Sequence, residues 1–329
     1  MNYYDIYFTH AYGKLNEWVD QGTCHVFQHH SPYGTIRHMF IKRPIPETGS
    51  QEIWYDLVTP YGYGGPLCQA VVPGKEAELL HGFEEDFGEY CQRHRIVSEF
   101  IRFHPLAGNA DCFQNLYEIR HDRKTVGTDL QTYSDPYHQE LSKSCRANIR
   151  KALKNGLEFR ITENPSKLED FMAVYYHSLN RNGSSDYYYF PKEYFDQCIR
   201  DFRDHLLLAE VYHGKQILSM GLCFIWSRKL FIHLSGTAED AYHRSAAYLL
   251  RHGILEWAGN HGVHLVYHGG GKSSRDNDSL YVFKKRFGMN TSFPFYTGKR
   301  IWNQAVYDDL CNRHSKPAES CFFPSYRER

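Results

Sequence analysis

Apolar residues recur along this chain with a period near 3.6 in some stretches and near 2 in others, and the changes of period mark its elements. Over residues 141–154, Leu141, Cys145, Ile149, Ala152 and Leu153 fall on one side of a helix drawn at 100° per residue. Lys143, Arg146, Arg150 and Lys154 fall within about 80° of one another on the other side. The pattern predicts a helix over 136–154, stopped by Asn155-Gly156, and a strand over 157–162. Helices over 166–180 and 191–202 follow, opened by Ser166 as a cap and by Pro191. Three strands, 205–212, 216–226 and 229–235, are joined by hairpin-length turns and are expected to be antiparallel. A helix over 241–259, a strand over 264–268, the loop Gly269-Gly270-Gly271, a helix over 279–287 and a strand over 292–297 complete this half.

The N-terminal half gives strands over 36–42 and 53–59, a turn-rich loop over 60–66, a helix over 74–95 and a strand over 96–103. A short helix over 110–115 and strands through 117–130 come last. This repeats the later part of the other half in element order, though not in residue identity. The expectation is an α/β (α+β) chain of two tandem domains, each a mixed, mostly antiparallel sheet flanked by helices, over 1–132 and 133–329. The boundary falls between Leu130 and Pro136, where a strand ends and a new helix signal begins.

Composition narrows the function. Thirty-eight basic and 38 acidic residues balance, so global charge does not call for nucleic acid, although a local patch would suffice. The 26 Tyr, 21 Phe and 5 Trp are spread along the whole chain and offer rings to wall many clefts. No stretch approaches the roughly 18 apolar residues of a spanning helix, and the N-terminus lacks a signal-peptide pattern, so the expected location is cytoplasmic. Nine cysteines at irregular gaps without a C-x-x-C favour free thiols over disulfides or structural zinc.

Several short matches fail. Gly271-Lys272-Ser273 resembles the end of a phosphate-binding P-loop, but Val266 stands where the first glycine is required. The third glycine of a dinucleotide fingerprint is missing after Gly62 and Gly64, and again after Gly269 and Gly271. There is no G-x-S-x-G elbow and no recognisable cysteine nucleophile. His264 and His268 share a strand face without a third ligand at metal spacing, so no metal site is expected.

Two features remain. The cationic stripe of the 141–154 helix has no Asp or Glu at i±4 from Arg146 or Arg150. It reads either as a solvated face or as a holder of phosphate, for which arginine has paired, planar donors. The loop Thr59-Pro60-Tyr61-Gly62-Tyr63-Gly64-Gly65-Pro66 joins a strand end to a helix start with more glycines than a tight turn needs. Its Tyr61, Tyr63 and Gly64 are candidates for a ligand wall, with Gly64 expected at positive φ or close to a ligand.

With Tyr55–Pro66, Ser98–Pro105, Cys145–Ala152, Tyr267–Gly271 and Ser279–Gly288 in this order, the chain resembles the Fem-type aminoacyl transferases of the GNAT acyltransferase superfamily. The resemblance implies two GNAT-like domains and an acyltransferase that moves an acyl or aminoacyl group onto a primary amine of a cell-wall precursor, amino sugar or surface glycan. It adds Arg102, His268 and Lys284 to Tyr61, Tyr63, Gly64, Arg146 and Arg150 as substrate-binding candidates. It also implies a phosphate-bearing or sugar acceptor, peripheral contact with a lipid-linked one, and no tightly bound cofactor. The donor is a co-substrate, aminoacyl-tRNA or acyl-CoA. The pattern that wraps CoA pyrophosphate is not matched around Arg244, where Ala247 and Leu249 stand, and the choice of donor stays open.

Such chemistry needs a proton acceptor and a donor for the carbonyl oxygen. His233, central in its strand, and Asp240, in the following loop, are the candidates, against their readings as a core histidine and a helix-start residue. The competing function is a degenerate acyltransferase that binds a glycan or nucleotide-linked ligand without turnover.

Overall fold

A computed structural model of the protein describes residues 4–46, 52–238, 245–314 and 322–328. The chain forms two compact units, Met1–Asp122 with Phe295–Arg329, and Arg123–Pro294. The chain passes from the first to the second within strand β6 (Glu118–Asp129) and back within β12 (Ser292–Ile301). These contact-based units are drawn differently from the single division expected near residue 132, because residues 297–301 of the last strand pair with a strand of the N-terminal segment.

In the first unit the strands β1 (Thr23–Ser31), β2 (Gly34–Pro44), β3 (Tyr55–Val58), β5 (Ile96–Arg102) and β12 lie side by side in that order. β4 (Leu67–Gln69) pairs with β2. The pair β3 and β5 is parallel, joined through α3 (Glu76–Arg93). Leu79, Phe83, Phe87 and Cys91 recur every four residues along α3 and are buried with Phe40, Ile96 and Ile101. Strand β1 and the C-terminal helix α10 (Gln304–Arg313) were not among the predicted elements.

In the second unit the order is β6, β11 (Leu265–Gly270), β10 (Lys229–Thr237), β9 (Gln216–Trp226), β8 (Leu206–His213) and β7 (Glu158–Glu163). β8, β9 and β10 are antiparallel neighbours, as their short turns required. β10 and β11 are parallel, joined through α8 (Ala246–Asn260). α6 (Glu169–Arg181) lies so close to one face that a Cβ on Gly236 would sit 2.7 Å from Val174 O. The adjacent cross-strand pair, Ser235 with Gly221, points the other way, where Gly221 meets Leu250 and Ile254 of α8.

The helix expected over 136–154 is two helices, α4 (Pro136–Glu140) and α5 (Lys143–Lys154). Ser142 adopts an extended conformation and its hydroxyl accepts from the Cys145 N–H, so it starts a new helix instead of continuing the old one. Cys145, Ile149 and Ala152 are buried against α8, whereas Leu153 is 47% exposed, against its expected place on the apolar face.

Candidate active site

The second unit carries an opening in its sheet. β10 and β11 pair at Lys229 with Leu265, Leu230 with Val266, and Phe231 with Tyr267, and then part. β10 is irregular between Ile232 and Leu234 and keeps its partner β9 as far as Thr237. β11 is irregular between Tyr267 and Gly269 and stays with β6 through Gly270. Each strand therefore holds its outer neighbour while their facing edges diverge. This leaves main-chain groups directed into a gap where a carbonyl oxygen could be received.

The glycine run begins at the end of β11, where the strands part. Gly269 has φ +75°, and a Cβ on Gly271 would meet the Asp278 carboxylate at 2.4 Å. Asp278 caps α9 (Ser279–Lys285) by accepting from the Leu280 and Tyr281 amides at 3.0 and 2.9 Å. Its other oxygen accepts from Lys272 N, Ser273 N and Ser273 Oγ, folding 271–278 against the helix start. Partial burial works against its charge, but the amides and hydroxyl win and hold its carboxyl below the usual range.

Lys284 on α9 donates from Nζ to Gly270 O at 2.7 Å, at the open end of β11. Withdrawal from water, then the nearby Arg251 and Arg123 cations, bring its pKa down to about 7, with Asp278 opposing. A lysine so placed is substantially a free amine at neutral pH. His268, by contrast, is 1% exposed and serves as an internal tie. The Thr128 hydroxyl gives its proton to Phe287 O at 2.5 Å, so it must accept from His268 Nε2 at 2.8 Å, which fixes the Nε2–H tautomer. Burial, with Arg251 and Lys284, keeps this histidine neutral, and it is enclosed away from any substrate, contrary to its expected role in binding.

His233 also departs from expectation. Its Nε2 shares a hydrogen bond of 2.7 Å with the hydroxyl of Tyr194 on α7 (Lys192–Phe202), and its ring lies 4.8 Å from that of Phe224. Burial pushes its pKa down to about 3, far too weak a base to take a proton from an amine at neutral pH. Asp240 lies outside the described residues.

The cationic stripe divides. Arg146 bends back to donate to His138 O and Leu141 O, the carbonyls left open by the break between α4 and α5. Its partners are thus main-chain carbonyls and not carboxylates. Arg150 is exposed and, among the described residues, forms no ion pair.

In the first unit the glycine-rich loop is used internally. Gly64 is buried, donates to Arg102 O at 2.8 Å and accepts from Asn109 Nδ2 at 2.9 Å. Positive φ belongs to Gly62 (+91°) and Gly65 (+88°), and not to Gly64. A Cβ at Gly64 would make only ordinary contact with Thr59, at 3.5 Å, so neither expected reason for that glycine holds. Tyr61 O accepts from Tyr12 Oη at 2.8 Å, and Tyr63 packs against Tyr7, His104 and Phe295. Arg102 donates to Thr59 O at 2.6 Å and so braces the strand end from which the loop departs.

Arg251 escaped the sequence reading. It is 4% exposed within the otherwise apolar buried face of α8, beside Leu250, Ile254, Leu255 and Ala258. A single charge at the centre of an apolar helical stripe was the signal that would have found it.

The sheet of the second unit has two parallel strands that part, with helices on both faces, and residues 139–284 match the family described as "Acetyltransferase (GNAT) domain". The chain carries that domain and is similar to Fem-type transferases. UDP-N-acetylmuramoylpentapeptide-lysine N(6)-alanyltransferase from Weissella viridescens is 26% identical over 186 residues, which is 55% of this chain and 52% of the relative. The chain thus spans about half the length of that curated relative. In fold it resembles the crystal structure of FemX, with a TM-score of 0.66, 13% identity and coverage of 91% of this chain and 92% of that one. It also resembles the C-terminal domain of a putative lysylphosphatidylglycerol synthetase from Agrobacterium fabrum, at a TM-score of 0.57, 16% identity and coverage of 93% and 91%. At these identities the two structures speak for the fold. Among the described residues no helix is long and apolar enough to cross a membrane.

Proposed function

We propose that this chain transfers an acyl or aminoacyl group to a primary amine of a cell-wall precursor, with the chemistry in the second unit where β10 and β11 part. The observation that carries the reading is Lys284, a lysine with pKa about 7 held at the open end of β11 inside a GNAT domain. In the reaction the acceptor nitrogen attacks the donor's carbonyl carbon. A C–N bond forms, the C–O or C–S bond to the carrier breaks, and the nitrogen's proton passes to Lys284 while the carrier takes up a proton. Main-chain N–H groups along the parted strands receive the developing oxyanion. Support for a cell-wall amine as acceptor comes from the named activity of the Weissella viridescens relative. The alanyl group in that name favours an aminoacyl donor, with an acyl thioester the alternative. Arg150, exposed at the middle of α5, is the residue we assign to a phosphate on the acceptor, supported by its unbalanced charge.

The test uses the purified chain with radiolabelled alanyl-tRNA and acetyl-CoA in parallel, and a UDP-linked muramoyl pentapeptide ending its branch in a lysine amine. Lys284→Met should lower transfer by roughly 10² to 10⁴ while acceptor binding persists. Transfer at wild-type rate by Lys284→Met, or no transfer by the wild type from either donor, would overturn the reading. Arg150→Ala should weaken acceptor binding by about 1–2 kcal/mol without changing the melting temperature.

A further inference from the structure

A cleft of about 630 Å³ opens in the first unit between α3, the start of β5 and the end of β12, a size that suits a small organic ligand. Cys91 and Ile96 give it a buried apolar lining, and two half-buried indoles, Trp54 and Trp302, line it as well. Trp302 is fixed from the protein side. Its Nε1–H donates to the buried Glu99 carboxylate at 3.1 Å, which also accepts from Tyr117 Oη at 3.1 Å. The Arg300 guanidinium lies 4.3 Å from the Trp302 ring centroid and donates to Leu116 O at 2.8 Å and to Glu84 at 2.7 Å. Ring, cation and carboxylate thus form a held, charge-balanced block.

The other polar groups of the lining are mostly uncharged. The Trp54 Nε1–H and the Gln92 amide have no hydrogen-bond partner among the described residues. Asn303 accepts from Val306 N through its side-chain oxygen and keeps its amide N–H groups. Glu85 adds one carboxylate, with His81 Nε2 3.4 Å away.

The helix side of the cleft carries a glycine that the fold does not need. Glu84, Gly88 and Gln92 follow at four-residue intervals along α3 and so share one face of it. Inside a helix glycine is a poor choice beside alanine. A Cβ on Gly88 would meet only Trp302 Cζ3, at 3.8 Å, which is ordinary contact. What the missing side chain provides is room beside the indole.

We propose that this cleft is a saccharide-binding site for one or two neutral pyranose units, with their C–H faces against the indoles and their hydroxyls bonded by Gln92, Asn303, Glu85 and the Trp54 N–H. The class follows from the lining. Flat rings suit the C–H face of a sugar, planar amides and a carboxylate suit its hydroxyls, and the balanced charge suits neither a phosphate nor a polyamine. All of these residues belong to the first unit, and the proposal does not rest on the reading of Lys284.

The test is binding to the whole protein, read apart from transfer. Two of the chain's five tryptophans line the cleft, so intrinsic emission is titrated with methyl β-D-glucoside, cellobiose and N,N′-diacetylchitobiose, and with spermidine and inorganic phosphate as charged probes. At least one sugar should shift the emission and saturate in the millimolar range, while both charged probes leave it in place. Gly88→Met fills the space beside Trp302 and should weaken that sugar by roughly tenfold, with a melting temperature no lower than the wild type. Gly88→Ala should keep the binding and melt about 2 °C higher. Gln92→Ala, at an exposed position, should weaken the sugar several-fold without touching the fold. Silence toward all three sugars, affinity unchanged in both Gly88→Met and Gln92→Ala, or saturation by a charged probe in place of sugar would overturn the proposal. None of these outcomes bears on Lys284, whose test is transfer.

Discussion

Each unit contains a strand, a helix and a second strand parallel to the first, and the two crossovers end differently. In the first unit β3 stays paired with β5 to its end at Val58, and past it Thr59 N donates to Phe100 O, Gly64 N to Arg102 O and the Arg102 side chain to Thr59 O. In the second, β10 and β11 part after three residue pairs. Buried charge follows the same division. Asp56 sits between Arg43 and Arg327 and accepts from Tyr326, His38 meets Glu99, and His104 meets Asp5. Arg251 and Lys284 form no ion pair among the described residues, although the Asp278 carboxylate acts on Lys284 from the start of α9. The first unit turns its polar groups on one another, and the second leaves the facing edges of β10 and β11 unpaired beyond Phe231 and Tyr267.

The strongest way to break this contrast is Asp56→Asn. The amide leaves two arginines without their shared negative charge and turns an NH2 donor toward one set of donors, which should cost about 3–5 kcal/mol in urea unfolding. Arg251→Met strands no partner and should cost clearly less, near the roughly 1–2 kcal/mol of a lost cation–π contact with Phe283. Equal costs would show that the two units do not differ in how they treat buried charge.

The next effect concerns the sealed strand end. Gly65→Ala places a Cβ 2.9 Å from Ile101 Cγ2 at φ +88°, for an expected loss of roughly 3 kcal/mol. Gly64→Ala, with its nearest contact at 3.5 Å, should cost no more than about 0.5 kcal/mol. Thermal melts of the two variants would settle whether the loop is an internal brace.

Acid titration compares two bases in the second unit. His233 is neutral when folded down to about pH 3 but protonates near 6.5 when unfolded, so the unfolded state binds more protons between those values. The stability it contributes is complete above pH 6.5 and is lost on acidification, by about 2 kcal/mol at pH 5. Unfolding free energy measured from pH 4 to 7 should lose this part of its slope in His233→Phe.

Lys284 gives the smallest effect and acts in another window. Its folded pKa of about 7 lies below its unfolded value, so stability rises with pH from about 7 toward 10.5. Lys284→Met should be more stable than the wild type at pH 7, on the order of 1 kcal/mol after allowance for partial exposure, and the difference should close by pH 10. A variant less stable at pH 7 would mean that the Gly270 hydrogen bond outweighs the buried charge.

The chain's own pattern determined a good deal. The four-residue spacing of Leu79, Phe83, Phe87 and Cys91 defines α3, and the short turns at 213–215 and 227–228 define the antiparallel trio β8, β9 and β10, because both signals are local and apolar. Strand β1 escaped because, at the end of its sheet, it carries Thr23, His25, Gln28, His29 and His30 with no apolar run. The break at Ser142 escaped because the hydrophobic period runs through it unchanged while only the main chain turns.

The site shows the same limit. The glycine run, the loop at 60–66 and the stripe of α5 stood out in the sequence, and Lys284 was among the residues named from it. Which residue is suited to accept a proton depended on burial and on neighbours from segments far apart in the chain. A histidine looks suited to accept a proton and a lysine does not until burial and a neighbouring guanidinium exchange their basicities, bringing His233 to about 3 and Lys284 to about 7. Residue type sets the ordinary pKa of a group. Only the tertiary structure sets its water and its neighbours, and here those decide which of the two can act as a base at neutral pH.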